Sequence, residues 1–233
     1  MKEGTVLVVG ASSGIGREIA LGLERAGARV LAACRRPGPP GSEHIPLDVT
    51  REDLPPERLP AALAGLVYCP GTIRLKPFAR LSREEFLEDL EVNYLGAVRV
   101  LAAALPRLKA SEAGAAVVLF STVAVATGMP LHASIAGAKG ALEGLTRALA
   151  AELAPRIRVN AIAPSLTDTP LAAPLLRDEA RRKAAAERHP LKRVGSAAEV
   201  AQAALFLLSD AARSITGQIL RVDGGLGALR LFA

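Results

Sequence analysis

The 233-residue sequence predicts an α/β fold, a single doubly wound domain on a parallel sheet of about seven strands. Three observations predict it. Short, mainly apolar runs alternate with longer stretches of helical period; such runs suit strands covered on both faces; and no long linker divides the chain. Half of the residues are hydrophobic, enough to fill a core of this size.

In chain order the strand candidates are Thr5 to Val9, Arg29 to Ala33, His44 to Leu47, Leu66 to Cys69, Ala116 to Phe120, Arg158 to Ala163 and Gln218 to Val222. Between the first two, Ile19, Ala20, Leu23 and Ala26 share one face of a helix over Ile15 to Ala26, and Gly27 supplies the stop. The same period places helices at Arg83 to Leu108, broken part-way, at Ser134 to Leu153 ending before Pro155, at Leu175 to Arg188 and at Ala197 to Leu208. Arg36 to Ser42 and Arg51 to Leu63 are too short and proline-rich for crossover helices, so both are expected to be surface loops of one domain.

Composition excludes several classes of function. The formal charge of +6 comes from scattered arginines and aromatics make up 3%, which leaves little for stacking bases, so no nucleic acid is expected. No apolar stretch approaches the ~20 residues of a membrane span. Met1-Lys2-Glu3 runs straight into a strand, so no leader and no membrane association are expected, and the protein is read as cytoplasmic. Cys34 and Cys69 lack the repeated spacing of a zinc site and are read as ordinary thiols, with no metal. Abundant arginine and proline with scarce Asn and Gln fit a heat-tolerant source.

Directly after the first strand, Gly10-Ala-Ser12-Ser13-Gly14-Ile15-Gly16 opens a helix. Glycines allow the tight turn and close backbone approach, and the free amides at the helix start attract a pyrophosphate.

With this Gly-x-x-x-Gly-x-Gly spacing the chain resembles the short-chain dehydrogenase/reductase family, whose fold is Rossmann-like. Leu47-Asp48-Val49 resembles the family's adenine-contacting segment, Val92-Asn93 its active-site Asn segment, Ala136-Gly-Ala-Lys139 its helix lysine and Ile157 to Pro164 its sixth strand. Pro190 to Gly195, Ile215 to Gln218 and Val222-Asp-Gly-Gly225 resemble its C-terminal signature, so the likeness spans nearly the whole chain. The family's Asn-Asn-Ala-Gly turn appears as Tyr68-Cys69-Pro70-Gly71, keeping only Gly71.

The resemblance implies a nicotinamide cofactor and a small-molecule substrate. At the end of the second strand an acidic side chain would bind a ribose 2′-hydroxyl and an arginine a 2′-phosphate. Cys34-Arg35-Arg36 stands there, which favours NADP(H) over NAD(H), with Arg35 the first candidate and Arg36 the second. Pro164, Thr167 and Thr169, in the segment after the sixth strand, resemble the residues at the nicotinamide, Thr169 being the favoured contact; Ser165 replaces a glycine.

In the family a Tyr passes the proton while hydride moves, helped by Lys, Ser and Asn. By position Lys139 matches the Lys, Asn93 the Asn and Thr122 the Ser, with Ser121 the neighbouring alternative. One helical turn before Lys139, Ile135 stands in the place of the Tyr, and it has no proton to give. His132 is the first candidate for a replacement acid and Ser134 a weaker one; Tyr68 and Tyr94 lie off the required helix face. The region of about 165–195 resembles a substrate-covering lid. The helix pair Glu91 to Leu108 and Ser134 to Leu153, the second carrying Gly137, Ala141 and Gly144, implies a homo-oligomer, a dimer or tetramer. Three functions stay open: an oxidoreductase of small carbonyls or alcohols, a catalytically degenerate cofactor-binding protein with a sensing or partner-binding role, and a structural subunit.

Overall fold

A computed structural model describes residues 4–231. The Met1-Lys2-Glu3 segment, read above as leading into the first strand, lies outside the described residues. Seven parallel strands form one sheet: β1 (Thr5–Val9), β2 (Arg29–Cys34), β3 (Glu43–Pro46), β4 (Gly65–Tyr68), β5 (Ala115–Phe120), β6 (Ile157–Pro164) and, last in the chain, β9 (Ile219–Val222). Their order is β3-β2-β1-β4-β5-β6-β9. β1 pairs with β2 on one side and β4 on the other, so connections leave in opposite directions there, and a crevice opens at the carboxyl edge.

Strand alternation supplies two cores. Leu7 and Val9 of β1 point into one, with Leu66, Val117 and residues of α3 (Gly96–Lys109) and α5 (Ala133–Leu153). Val6 and Val8 point into the other, with α1 (Gly14–Arg25) and α7 (Ala197–Leu208). Helices therefore cover both faces of the predicted sheet, and every predicted strand is present with ends within a residue. The α1 stop falls at Gly27, whose φ of +82° suits glycine.

The predicted break in the 83–108 helix takes a particular form. α2 (Arg83–Leu90), capped by a Ser82–Glu85 capping box, passes into a π segment, Glu91–Leu95, and then into α3 without leaving the helical path. At this junction the Asp89 carbonyl of α2 and the Val92 carbonyl of the π segment accept side-chain hydrogen bonds from Asn93 and Tyr68.

The 165–195 region differs from a single helix. Two short strands, β7 (Thr167–Asp168) and β8 (Gly195–Ser196), pair at its base. A 3₁₀ turn, Ala173–Leu175, precedes α6 (Glu179–Arg188), so the helix predicted from Leu175 starts only at Glu179, where the Asp178 carboxylate caps it. The short α4 (Ala124–Thr127), after β5, was likewise not predicted. Residues 36–42 and 51–63 are loops as expected, the latter with one 3₁₀ turn at Pro56–Arg58. Among the described residues no helix is long and apolar enough to cross a membrane.

Candidate active site

The larger part of the crevice, about 500 Å³, lies over the β1–α1 turn. Gly10, Ser12, Ser13, Gly14, Ile15 and Gly16 line it, and Arg35, Arg36, Asp48 and Val49 reach it from the ends of β2 and β3. The turn closes on itself so tightly that a Cβ on Gly16 would stand 2.4 Å from the Gly10 carbonyl oxygen. Ser13 makes no side-chain cap and the first turn of α1 holds no acidic residue, so its N–H groups and positive dipole end stay available to the cleft. A pyrophosphate fits such a cradle. Arg35 and Arg36 are exposed at its rim. Asp48 accepts from the Thr50 N–H and hydroxyl, which hold its carboxyl below the usual range.

A second cavity of about 250 Å³ continues from the first and shares Ile15, Gly71, Thr72 and Thr169 with it. Its wall brings together Thr122, His132, Ile135, Lys139, Pro164 and Thr167. Ile135 and Lys139 sit one turn apart on the same face of α5. Ile135 is 5% exposed yet belongs to no hydrophobic cluster of the described residues, because its side chain lines the cavity.

Lys139 is buried, and desolvation pulls its ammonium down to about 8 against the opposing pull of Cys69 and Asp89. Burial pushes the Cys69 thiol up to about 12, so it is neutral near pH 7 and Asp89 is the anion that counters the lysine there. Asp89 is fully buried at the centre of a clamp. Its carboxylate accepts the hydroxyls of Thr72, at 2.6 Å, and Ser134; Asn93 Nδ2 donates to Thr72 Oγ1 and to the Asp89 carbonyl, both at 2.8 Å. Asn93 lines neither cavity. It stands behind Gly71, where a Cβ would come within 3.3 Å of Asn93 Oδ1 and 3.6 Å of Lys139 Nζ.

The candidate hydroxyls and acids separate by their partners. Ser121 donates to Glu143 at 2.7 Å, whereas Thr122 Oγ1 accepts only a long bond from the Ala124 N–H. Thr122 is thus the freer hydroxyl. His132 Nδ1 donates to the Pro130 carbonyl at 2.7 Å, Ser134 is held by Asp89, and Tyr68 is a core residue bonded to the Val92 carbonyl. Tyr94 packs against the core.

Three residues of this region escape sequence reasoning: Asp89, Thr72 and His189. Asp89 and Asn93 share a helix face four residues apart, a faint signal; His189 had none beyond being a histidine beside a proline. His189 lines the second cavity and bonds Ser165.

A family model described as Enoyl-(Acyl carrier protein) reductase matches residues 57–227. The chain is 34% identical to L-xylulose reductase of Bos taurus, over 94% of each protein. It belongs to the short-chain dehydrogenase/reductase family. Another of its curated relatives, the 3-oxoacyl-(acyl-carrier-protein) reductase of Thermotoga maritima, is 34% identical, over 96% of this chain and 98% of that protein. Among solved structures, ligand-free aldohexose dehydrogenase of Thermoplasma acidophilum superposes with a TM-score of 0.89 at 30% identity, covering 100% of this chain and 97% of the other. A protein of Agrobacterium tumefaciens provisionally described as a 2-deoxy-d-gluconate 3-dehydrogenase, with NADP bound, superposes with a TM-score of 0.88 at 33% identity, covering 98% of both chains. This short-chain dehydrogenase/reductase therefore has the Rossmann-like α/β fold that its sequence predicts.

Proposed function

We propose that the chain is an NADP(H)-dependent oxidoreductase of small carbonyl or alcohol compounds, in which Ile135 stands at the family's proton-transferring tyrosine position. One observation carries the reading: the glycine cradle, Lys139 and Thr122 all open onto one continuous cleft. A bound nicotinamide dinucleotide supplies the hydride. Gly10 to Gly16 hold its pyrophosphate, Asp48 and Val49 the adenine, Lys139 the nicotinamide ribose and Thr169 the carboxamide. Thr122 orients the substrate oxygen, and Asn93 supports a water behind Gly71. Ile135 excludes water but moves no proton. The 165–195 region covers the substrate, and the outward Gly137 and Gly144, with no atom within 4 Å of an added Cβ, support close packing of a second copy on α5.

An NADPH-oxidation screen over aldehydes, ketones and quinones, run beside direct cofactor titration, tests this reading. Tight binding with no turnover of any class would replace it with that of a cofactor-binding protein without catalysis.

Arg35→Ala is expected to weaken NADPH binding roughly 10- to 150-fold and leave NADH unchanged. A charge-assisted hydrogen bond contributes ~1.5–3 kcal/mol, and each 1.4 kcal/mol is tenfold. Equal NADPH and NADH affinities in the unmutated protein, measured by fluorescence titration, would defeat this assignment.

Binding should also depend on pH. Below about 8 Lys139 is charged in the free protein; above it the charge is lost. An anionic dinucleotide favours the charged lysine and so raises its pKa in the complex. Affinity is then flat below about 8 and falls by up to tenfold per pH unit above it, until the pKa of the complex is reached. A flat titration from pH 7 to 10 would remove Lys139 from the cofactor contact.

A further inference from the structure

The geometry points to Ser165 and His189 as a proton relay that serves the substrate oxygen in place of the missing phenol. It rests on the oxidoreductase reading above. Both residues line the second cavity, the one bounded also by Thr122, Ile135 and Lys139. His189 is 2% exposed, and its ring bridges two elements. Nδ1 lies 2.8 Å from the Ala185 carbonyl within α6, and Nε2 lies 2.8 Å from Ser165 Oγ, just past the end of β6. A carbonyl only accepts, so Nδ1 carries a hydrogen in either protonation state. The variable proton is therefore on Nε2, the nitrogen that faces the serine.

In the neutral ring Nε2 accepts the Ser165 O–H. In the imidazolium Nε2 donates to Ser165 Oγ, and the serine's own hydrogen is released toward the cavity. That second arrangement can transfer a proton. As the substrate oxygen gains charge, the Ser165 O–H bond breaks and a new O–H bond forms on the substrate, while the Nε2–H bond breaks and its proton passes to Ser165 Oγ. The carbonyl is reduced, with the hydride equivalent drawn from reduced nicotinamide, which is oxidised. The ring is left neutral, still donating through Nδ1 to Ala185, and regains its Nε2 proton from the bulk solution, the one proton that each reduction consumes.

The other candidates are spent elsewhere. Ser134 serves Asp89, the Tyr68 hydroxyl serves the Val92 carbonyl inside the core, and Tyr94 packs on that core. His132 also lines the cavity, but its ring bonds the Pro130 carbonyl rather than a hydroxyl. In the His189 pair the partner is a hydroxyl on the cavity wall.

The test uses the full chain, with a carbonyl substrate found by the screen. His189→Gln and Ser165→Ala are expected to lower kcat about 100-fold and at least tenfold, since general acids contribute ~10²- to 10⁴-fold. KM and the NADPH dissociation constant should stay within about threefold, and Ser165→Thr should restore much of the loss. In the free protein, ¹⁵N-histidine NMR should show the His189 Nε2 resonance moving in Ser165→Ala while Nδ1 stays hydrogen-bonded. If His189→Gln fails to fold, Ser165→Ala, a one-atom deletion at the cavity wall, carries the test alone. Unchanged kcat in folded Ser165→Ala, or an Nε2 resonance indifferent to it, overturns the relay and leaves the oxidoreductase reading intact. A wild type that binds NADPH but turns over no carbonyl overturns the oxidoreductase reading itself and the relay with it.

Discussion

In a His189→Gln background, Ile135→Tyr is expected to raise carbonyl turnover by ~10²- to 10⁴-fold, the usual worth of a positioned general acid. The reason is geometric. Position 135 faces the second cavity one turn before Lys139, so a phenol placed there meets the substrate side of the site. The Lys139 charge beside it favours the phenolate, which makes the phenol a better donor. Ile135 packs into none of the hydrophobic clusters, and the cavity of about 250 Å³ can receive the added ring. With His189 in place the gain should be smaller, because the Ser165 relay already supplies part of what the phenol would. Steady-state NADPH oxidation in the single and double variants checks both statements. A folded double variant that keeps its cofactor affinity and is no faster than His189→Gln alone would show that position 135 does not meet the substrate oxygen.

Gly16→Ala should carry a comparably large effect, a loss of dinucleotide affinity of about 100-fold together with a lower Tm. The new Cβ would meet the Gly10 carbonyl oxygen at 2.4 Å and the Cys69 Cβ at 3.2 Å. The first neighbour is backbone and cannot rotate aside. The turn must open, which moves the α1 amides that form the phosphate cradle. Overpacking of this kind costs ~1–3 kcal/mol, and at this chain length each kcal/mol shifts Tm by roughly 2–4 °C. Calorimetry with and without NADPH separates the two parts. Unchanged affinity despite a lowered Tm would mean that the cradle tolerates the shift and that the phosphates are held elsewhere.

The sheet was legible because its central strands are mainly apolar and its helices keep a steady period, signals that need no tertiary information. The elements that escaped are those that tertiary pairing creates. β7 and β8 are two residues each and exist only because Thr167 and Asp168 lie beside Gly195 and Ser196. The π segment coincides with the Asn93 and Tyr68 side chains reaching helix carbonyls, Tyr68 from 24 residues away.

The site divides in the same way. The glycine turn and the Ile135–Lys139 spacing are local and could be read directly from the residues. Ser165 stands out as a substituted glycine, but its partner is 24 residues distant, set by where α6 docks. The Asp89 contact to Ser134 spans 45 residues, and no periodicity predicts it.

The Asp89 clamp bears on how this pocket tolerates change over evolutionary time. It fastens α5 through Ser134, the residue immediately before position 135, and ties in the stretch after β4 through Thr72, so the mount is complete before the substrate-facing residue begins. Whatever side chain occupies 135 then inherits a ready-made placement while bearing no share of the fastening. A site built this way can lose its proton donor, borrow another from a different wall, or regain the first, with the frame around it left standing.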